Sequence, residues 1–97
     1  MLDLSIIIVN YNTCDFLKRC IKSIKNSISE KIRHEVIIVD NASSDGSPSE
    51  ISRLRKSFGG QANLKIILNK ENVGFSKANN QGIKLSKESQ KKFFVNL

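Results

Sequence analysis

The sequence has no tryptophan, one tyrosine (Tyr11), one proline (Pro48) and two cysteines (Cys14 and Cys20) in 97 residues. With so few stacking aromatics, and none interleaved with basic residues, nucleic acid ranks below a small phosphorylated ligand as a partner. On one helix the two cysteines would stand about 9 Å apart along the axis, beyond disulfide reach. They also lack the companions of a zinc site. Both therefore read as reduced thiols, with Cys20 on the core side, and a reducing compartment fits them. No apolar run approaches the ~20 residues of a membrane-spanning helix. The start, Met1-Leu2-Asp3, has neither a basic n-region nor a cleavage-like site, so a cytoplasmic location is the expectation.

Acidic residues are also scarce, 9 against 16 basic ones, for a net charge of +7. Lys18, Arg19, Lys22 and Lys25 crowd one segment and Lys84, Lys87, Lys91 and Lys92 another. The plain reading of these clusters is a solvated helix surface. The sharper readings are attraction to phosphate-bearing ligands, anionic lipid headgroups or nucleic acid. Hydrophobic content of 39% and charged content of 26% are those of a globular chain. One small domain, residues 1–97, burying about 60–65% of its unfolded surface, is the most this length supports.

What is present is an alternation. Leu4 to Val9, Glu35 to Val39, Leu64 to Leu68 and Phe93 to Leu97 read as strands, the second, through its apolar run Val36 to Val39, as a buried parallel one. Phe16, Leu17, Cys20, Ile21, Ile24 and Ile28 have helical spacing, with Asn12 or Thr13 as cap. Ser47, Pro48 and Glu50 read as N-cap, first and third positions of a second helix, a capping box. Ile51, Leu54 and Phe58 mark its buried side, and Gly59-Gly60 stops it. A third helix runs from Phe75 to about Ser86 through Phe75, Ala78, Asn79, Gly82 and Ile83. The order βαβαβαβ implies a Rossmann-like three-layer α/β/α arrangement around a parallel sheet with right-handed crossovers.

In such folds ligands bind outside the carboxyl ends of the strands. Three loops fall there: Asn10-Tyr11-Asn12, Asp40 to Ser47, and Asn69 to Phe75. The second carries Asp40, Asn41 and Asp45 among small polar residues. On residue type alone it reads equally as chemistry or as a plain strand-to-helix turn. The G-x-x-x-x-G-K-[ST] and G-x-G-x-x-G cradles are both missing, which argues against a P-loop enzyme and a dehydrogenase.

Three segments together resemble the N-terminal nucleotide-binding part of a family 2 glycosyltransferase with the GT-A fold. They are Ser5-Ile6-Ile7-Ile8-Val9-Asn10-Tyr11-Asn12, Ile38-Val39-Asp40-Asn41-Ala42-Ser43-Ser44-Asp45-Gly46-Ser47, and Asn72-Val73-Gly74-Phe75 with Asn79-Asn80-Gln81-Gly82-Ile83. The Val-Asp-Asn-Ala-Ser form with Asn-Val-Gly-Phe is most similar to the rhamnosyltransferase-like branch. The resemblance implies transfer of a sugar, with inversion, from a UDP- or dTDP-sugar to a hydroxyl of an acceptor glycan or lipid-linked sugar. The usual setting is cell-envelope polysaccharide assembly, which admits a peripheral membrane contact. By resemblance Asp40 accepts from the base N3–H, and Asn10, Tyr11 and Asn12 border base and ribose. Asn41 belongs to the Asp40 motif and Asp45 is its second acid. Tyr11 either leans on the base or covers the sheet edge. Asp45 also serves as a favourable charge at a helix start. Gly74 supplies a backbone shape barred to side chains, and Gly82 allows close helix–sheet packing. Asn80 either takes a binding position or makes a helix-to-loop contact. Asn79 stands where many relatives carry Arg, with Lys77 nearby.

The resemblance also implies a divalent metal, Mg²⁺ or Mn²⁺, held by an acidic motif after the fourth strand, and a later carboxylate as general base. No acid in these residues takes either role, so no catalytic or metal residue is assigned. The expectation is a fragment, truncated at its fourth strand and inactive alone. Its alternatives are a catalytically inactive nucleotide-binding remnant and a basic α/β interaction module.

Overall fold

The computed structural model describes residues 2–29, 31–57 and 63–97. Seven elements alternate: β1 (Leu2–Asn10), α1 (Cys14–Ser27), β2 (His34–Asp40), α2 (Ser47–Ser57), β3 (Leu64–Leu68), α3 (Gly74–Leu85) and β4 (Ser89–Asn96). All pairings are parallel, in the order β3-β2-β1-β4. The expected α/β fold forms, with three layers. Ile6, Ile8, Val36 and Ile38 pack on one face with Leu17 and Ile21 of α1 and Ile51 and Leu54 of α2. Ile7, Val9, Ile37 and Val39 pack on the other with Ala78 of α3.

This explains the unbroken apolar runs. β1 and β2 lie at the centre of the sheet with both faces covered, so neither face calls for polar residues, and β-branched side chains suit the pleat. Each such buried side chain contributes about 1.5–3 kcal/mol. The α3 helix approaches through its smallest residues, Ala78 and Gly82. A Cβ on Gly82 would stand 2.5 Å from Ile7 Cγ2, so only glycine permits that contact.

Several local expectations are corrected. Phe16 and Phe75, counted on buried helix faces, are 59% and 51% exposed, and Ile83 is exposed too. Leu17 and Ile21 carry the contact of α1, and α3 sits too close to the sheet for a phenylalanine between them. The capping box at Ser47 and Glu50 does not form. Gly46 supplies the first helical carbonyl, accepting from Glu50 N at 3.0 Å, and the Glu50 carboxylate turns to Arg53. Neither Asn12 nor Thr13 caps α1; the Thr13 hydroxyl donates instead to Asn10 Oδ1 at 2.7 Å. The second lysine cluster is not one helix surface: Lys84 lies in the last turn of α3, Lys87 in the connection after it, and Lys91 and Lys92 on β4, which begins at Ser89 rather than Phe93. Phe58 and Gly59-Gly60 fall outside the described residues. Cys14 and Cys20 are free thiols, and burial pushes the Cys20 thiol up.

At the amino ends of the strands lies a polar cluster that periodicity did not reveal. Glu35 is buried and accepts from Ser5 Oγ at 2.7 Å and from Lys87 N at 2.8 Å, with Lys65 Nζ 3.0 Å away. Burial pushes its carboxyl up, but the Ser5 hydroxyl, the Lys65 ammonium and the Lys87 N–H outweigh that, leaving it below the ordinary glutamate value. The cluster fixes where α3 turns into β4. On β4, an edge strand, Phe93 and Phe94 are exposed. No described helix is long and apolar enough to cross a membrane.

Candidate functional site

The chain runs outward from β1 through β2 to β3 and then crosses back to β4 on the far side of β1. α1 and α2 cover one face and α3 the other. The strand order therefore reverses between β1 and β4, the place where open parallel sheets hold their ligand crevice. A cleft of about 230 Å³ occupies it, lined by Tyr11, Asn41, Asn72, Gly74, Phe75 and Leu97. It draws on the loops after β1, β2 and β3 and the end of β4. Tyr11 and Phe75, both largely exposed, supply flat apolar surface, and the two asparagines supply polar groups.

Beside the cleft the first two loops are stapled together. The parallel register sets Asn10 opposite Asp40. Asn10 Nδ2 donates to Asp40 Oδ1 at 2.9 Å, and Ser43 Oγ donates to the same oxygen at 2.7 Å. Ser43 N donates to Asp40 Oδ2 at 3.0 Å. Asn12, in the left-handed region at φ 52, accepts through Oδ1 from Ser44 N at 2.7 Å and Asp45 N at 3.2 Å. Its own N–H donates to Ser43 Oγ at 2.9 Å. Ala42, at φ 66, takes the same unusual conformation so that the loop can fold back. Asp40 is 2% exposed, and three of roughly four acceptor sites on its carboxylate are taken by the protein.

Asp45 does a different job. Its Oδ2 accepts from Cys14 N, the first N–H of α1, at 3.1 Å, and its Oδ1 accepts from Ser47 N, the first of α2, at 2.9 Å. One carboxylate thus serves the starts of two helices, where backbone donors lack partners and the macrodipoles favour negative charge. The Ser47 hydroxyl and the Ser47 and Cys14 N–H groups hold its carboxyl below the usual aspartate value.

The third loop is tied to the second through Asn41, which is 1% exposed at the cleft floor. Its Nδ2 donates to Gly74 O at 3.3 Å, and its Oδ1 accepts from Val73 N at 3.4 Å and Asn69 Nδ2 at 3.0 Å. Gly74 has φ 83, a backbone that disfavours any side chain, as its place in the sequence implied. Of the residues singled out from sequence, Tyr11, Asn41 and Gly74 line the cleft, while Asn10, Asn12, Asp40 and Asp45 brace the loops beside it. Asn80 sits apart, in a groove of about 270 Å³ along α3 shared with Val73, Lys77, Gln81 and Lys84. Asn79 donates to Asn96 Oδ1 at 3.0 Å. Sequence reasoning did not single out Phe75 as a cleft residue or Ser43 as the hub of the network; the place of Phe75 at the end of the third loop, Asn69 to Phe75, was the available signal.

Residues 5–95 match the family described as glycosyl transferase family 2. The chain belongs to that family. It is 34% identical over 82 residues to the glycosyltransferase AglE of Haloferax volcanii, a match covering 84% of this chain and 26% of that protein. It is 28% identical over 83 residues to the putative glycosyltransferase EpsH of Bacillus subtilis, covering 86% of this chain and 22% of that one. The fold superposes on S. aureus TarS 1-349 in complex with UDP-GlcNAc with a TM-score of 0.81 at 25% identity, covering 98% of this chain and 26% of TarS 1-349. It superposes on the mannosyltransferase PcManGT from Pyrobaculum calidifontis, in complex with GDP-Man and Mn2+, with a TM-score of 0.75 at 23% identity, covering 90% and 27%. The chain thus spans about a quarter of the length of these relatives. Among the described residues no group of three acidic, cysteine or histidine side chains is placed to hold a metal ion. Near the cleft, Asp40 and Asp45 are committed to protein donors. The described residues therefore do not fit the divalent metal that the resemblance implies, and no step is assigned to one.

Proposed function

We propose that this chain forms the donor-nucleotide-binding part of a glycosyltransferase that takes a UDP- or dTDP-sugar. The observation that carries the reading is the cleft at the switch point of a family 2 fold, lined by two aromatics and two side-chain amides. A pyrimidine base is a flat disc with a polar edge, and this cleft offers apolar faces from Tyr11 and Phe75 and edge partners from Asn41 and Asn72. The left-handed backbone at Gly74 leaves its surface bare of a Cβ, so a ligand can approach the main chain. The nucleotide-sugars in the TarS and PcManGT complexes support the ligand class.

In this reading Asp40 organises the loop that presents Asn41, through its bonds to Asn10 and Ser43. The N3–H contact remains open to it only through its last acceptor site. Inverting transfer to an acceptor hydroxyl, the rhamnosyl-like branch, a role in envelope polysaccharide assembly and a peripheral membrane contact follow from the family resemblance. They belong to the whole enzyme.

Calorimetry with UDP, dTDP, GDP and inorganic phosphate tests the assignment. UDP and dTDP bind, phosphate alone does not compete, and Tyr11→Ala weakens binding by about 1–3 kcal/mol if the ring stacks on the base. Asp40→Asn lowers stability without ligand; a ten- to hundredfold loss of UDP affinity with the fold intact would instead make Asp40 a base contact. Absence of nucleotide binding, or phosphate competing as well as UDP with strong salt dependence, would overturn the reading in favour of a basic interaction module.

A further inference from the structure

Two openings lie on either side of the third loop: the cleft and the α3 groove. A chain of side-chain amides connects them. Gln81, on the groove, pairs reciprocally with Asn69: Gln81 Nε2 donates to Asn69 Oδ1 at 3.0 Å, and Asn69 Nδ2 donates to Gln81 Oε1 at 2.8 Å. Asn69 Nδ2 also donates to Asn41 Oδ1 at 3.0 Å. Asn41 in turn holds Val73 N and Gly74 O, the backbone of the cleft wall.

The backbone fixes the direction of this chain. Asn41 must aim its oxygen at the Val73 N–H and its NH₂ at the Gly74 carbonyl; the reverse would set donor against donor and acceptor against acceptor. An oxygen at that end requires Asn69 to present its NH₂. Asn69 then presents its oxygen to Gln81, which must donate with Nε2. Every amide orientation is thereby determined, from a helix residue outside the cleft to the cleft wall.

We infer that Gln81 and Asn69 are positioning residues, which set the Val73–Gly74 wall of the cleft through Asn41 without touching the ligand. This rests on the nucleotide reading for its consequence in binding, but its geometry does not.

The test has one arm that needs no ligand. In the whole 97-residue chain, Gln81→Met keeps size and loses both amide bonds, whereas Gln81→Glu still accepts from Asn69 Nδ2. Amide hydrogen exchange is followed by NMR at Val73 and, as a control in the same helix as Gln81, at Ala78. The expected result is about two- to tenfold faster exchange at Val73 in Gln81→Met, little change at Ala78, and partial rescue in Gln81→Glu. UDP affinity falls by a similar factor in Gln81→Met and recovers in part in Gln81→Glu. Unchanged exchange at Val73, or equal acceleration at Ala78, overturns the inference, since the residue would then serve only helix stability. Wild-type protein that binds no UDP would sink the nucleotide reading, while the exchange arm would still decide the role of Gln81.

Discussion

Removing the Asp45 carboxylate strips the caps from two helices at once. Asp45→Ala leaves Cys14 N and Ser47 N without the acceptors they have at 3.1 and 2.9 Å. Loss of one N-terminal cap costs typically about 1 kcal/mol, within about 0.5–2. Two caps held by one exposed side chain give about 2 kcal/mol, more than the ~0.3–1 kcal/mol of a helix-end charge alone. Asp45→Asn keeps one amide oxygen and loses the charge, so it falls between Asp45→Ala and the wild type. Urea denaturation measures both differences, with m unchanged if only the native state is affected. The pH dependence follows from the lowered carboxyl of Asp45. A group depressed on folding stabilises above its unfolded value, ~3.9 for aspartate, and that contribution is lost as pH falls through the folded value. The gap between wild type and Asp45→Ala is therefore full at neutral pH and narrows below about pH 4, where a protonated Asp45 keeps only a neutral acceptor oxygen, as Asp45→Asn does. An Asp45→Ala protein as stable as wild type at pH 7, or a gap that does not narrow in acid, would refute the double-cap reasoning.

Two other substitutions probe the packing. Gly82→Ala should gain about 1 kcal/mol of helix propensity, yet its Cβ would meet Ile7 Cγ2 at 2.5 Å in a buried, β-branched neighbour that cannot swing away. Overpacking of this kind costs about 1–3 kcal/mol, so a net loss of stability in thermal melts is expected; a raised Tm would show that α3 can lift off the sheet. Glu35→Gln removes the buried charge facing Lys65 and Lys87 N and should cost about 1–3 kcal/mol in urea at pH 7. Because Glu35 lies below its ordinary value, the penalty shrinks as pH falls through the carboxylate range, and a pH-independent penalty would contradict the charged assignment.

Much of the architecture was legible because it is local. The apolar runs at Ile6 to Val9 and Val36 to Val39 announce central strands, and Gly74 and Gly82 mark a backbone twist and a close contact that their neighbours alone imply. The three loops were placed correctly because parallel α/β topology sends them to one end of the sheet. What the sequence did not disclose depends on register and on long-range partners. Asp40 faces Asn10 only once β1 and β2 pair, and the acceptor for α1 arrives from Asp45, 31 residues along. Periodicity counted Phe16 and Phe75 as buried because it records spacing, not the width of the interface. The amide chain from Gln81 to Asn41 joins a helix and two loops, so no window along the sequence contains it.

The central claim is that a nucleotide occupies the cleft between Tyr11 and Phe75. An NMR titration of the isotope-labelled chain with UDP tests it most directly. The account predicts saturable shifts at Tyr11, Asn41, Asn72, Gly74, Phe75 and Leu97, with phosphate failing to reproduce them. Shifts centred instead on Lys77 and Lys84 of the α3 groove, or a pattern that phosphate reproduces in full, would contradict it.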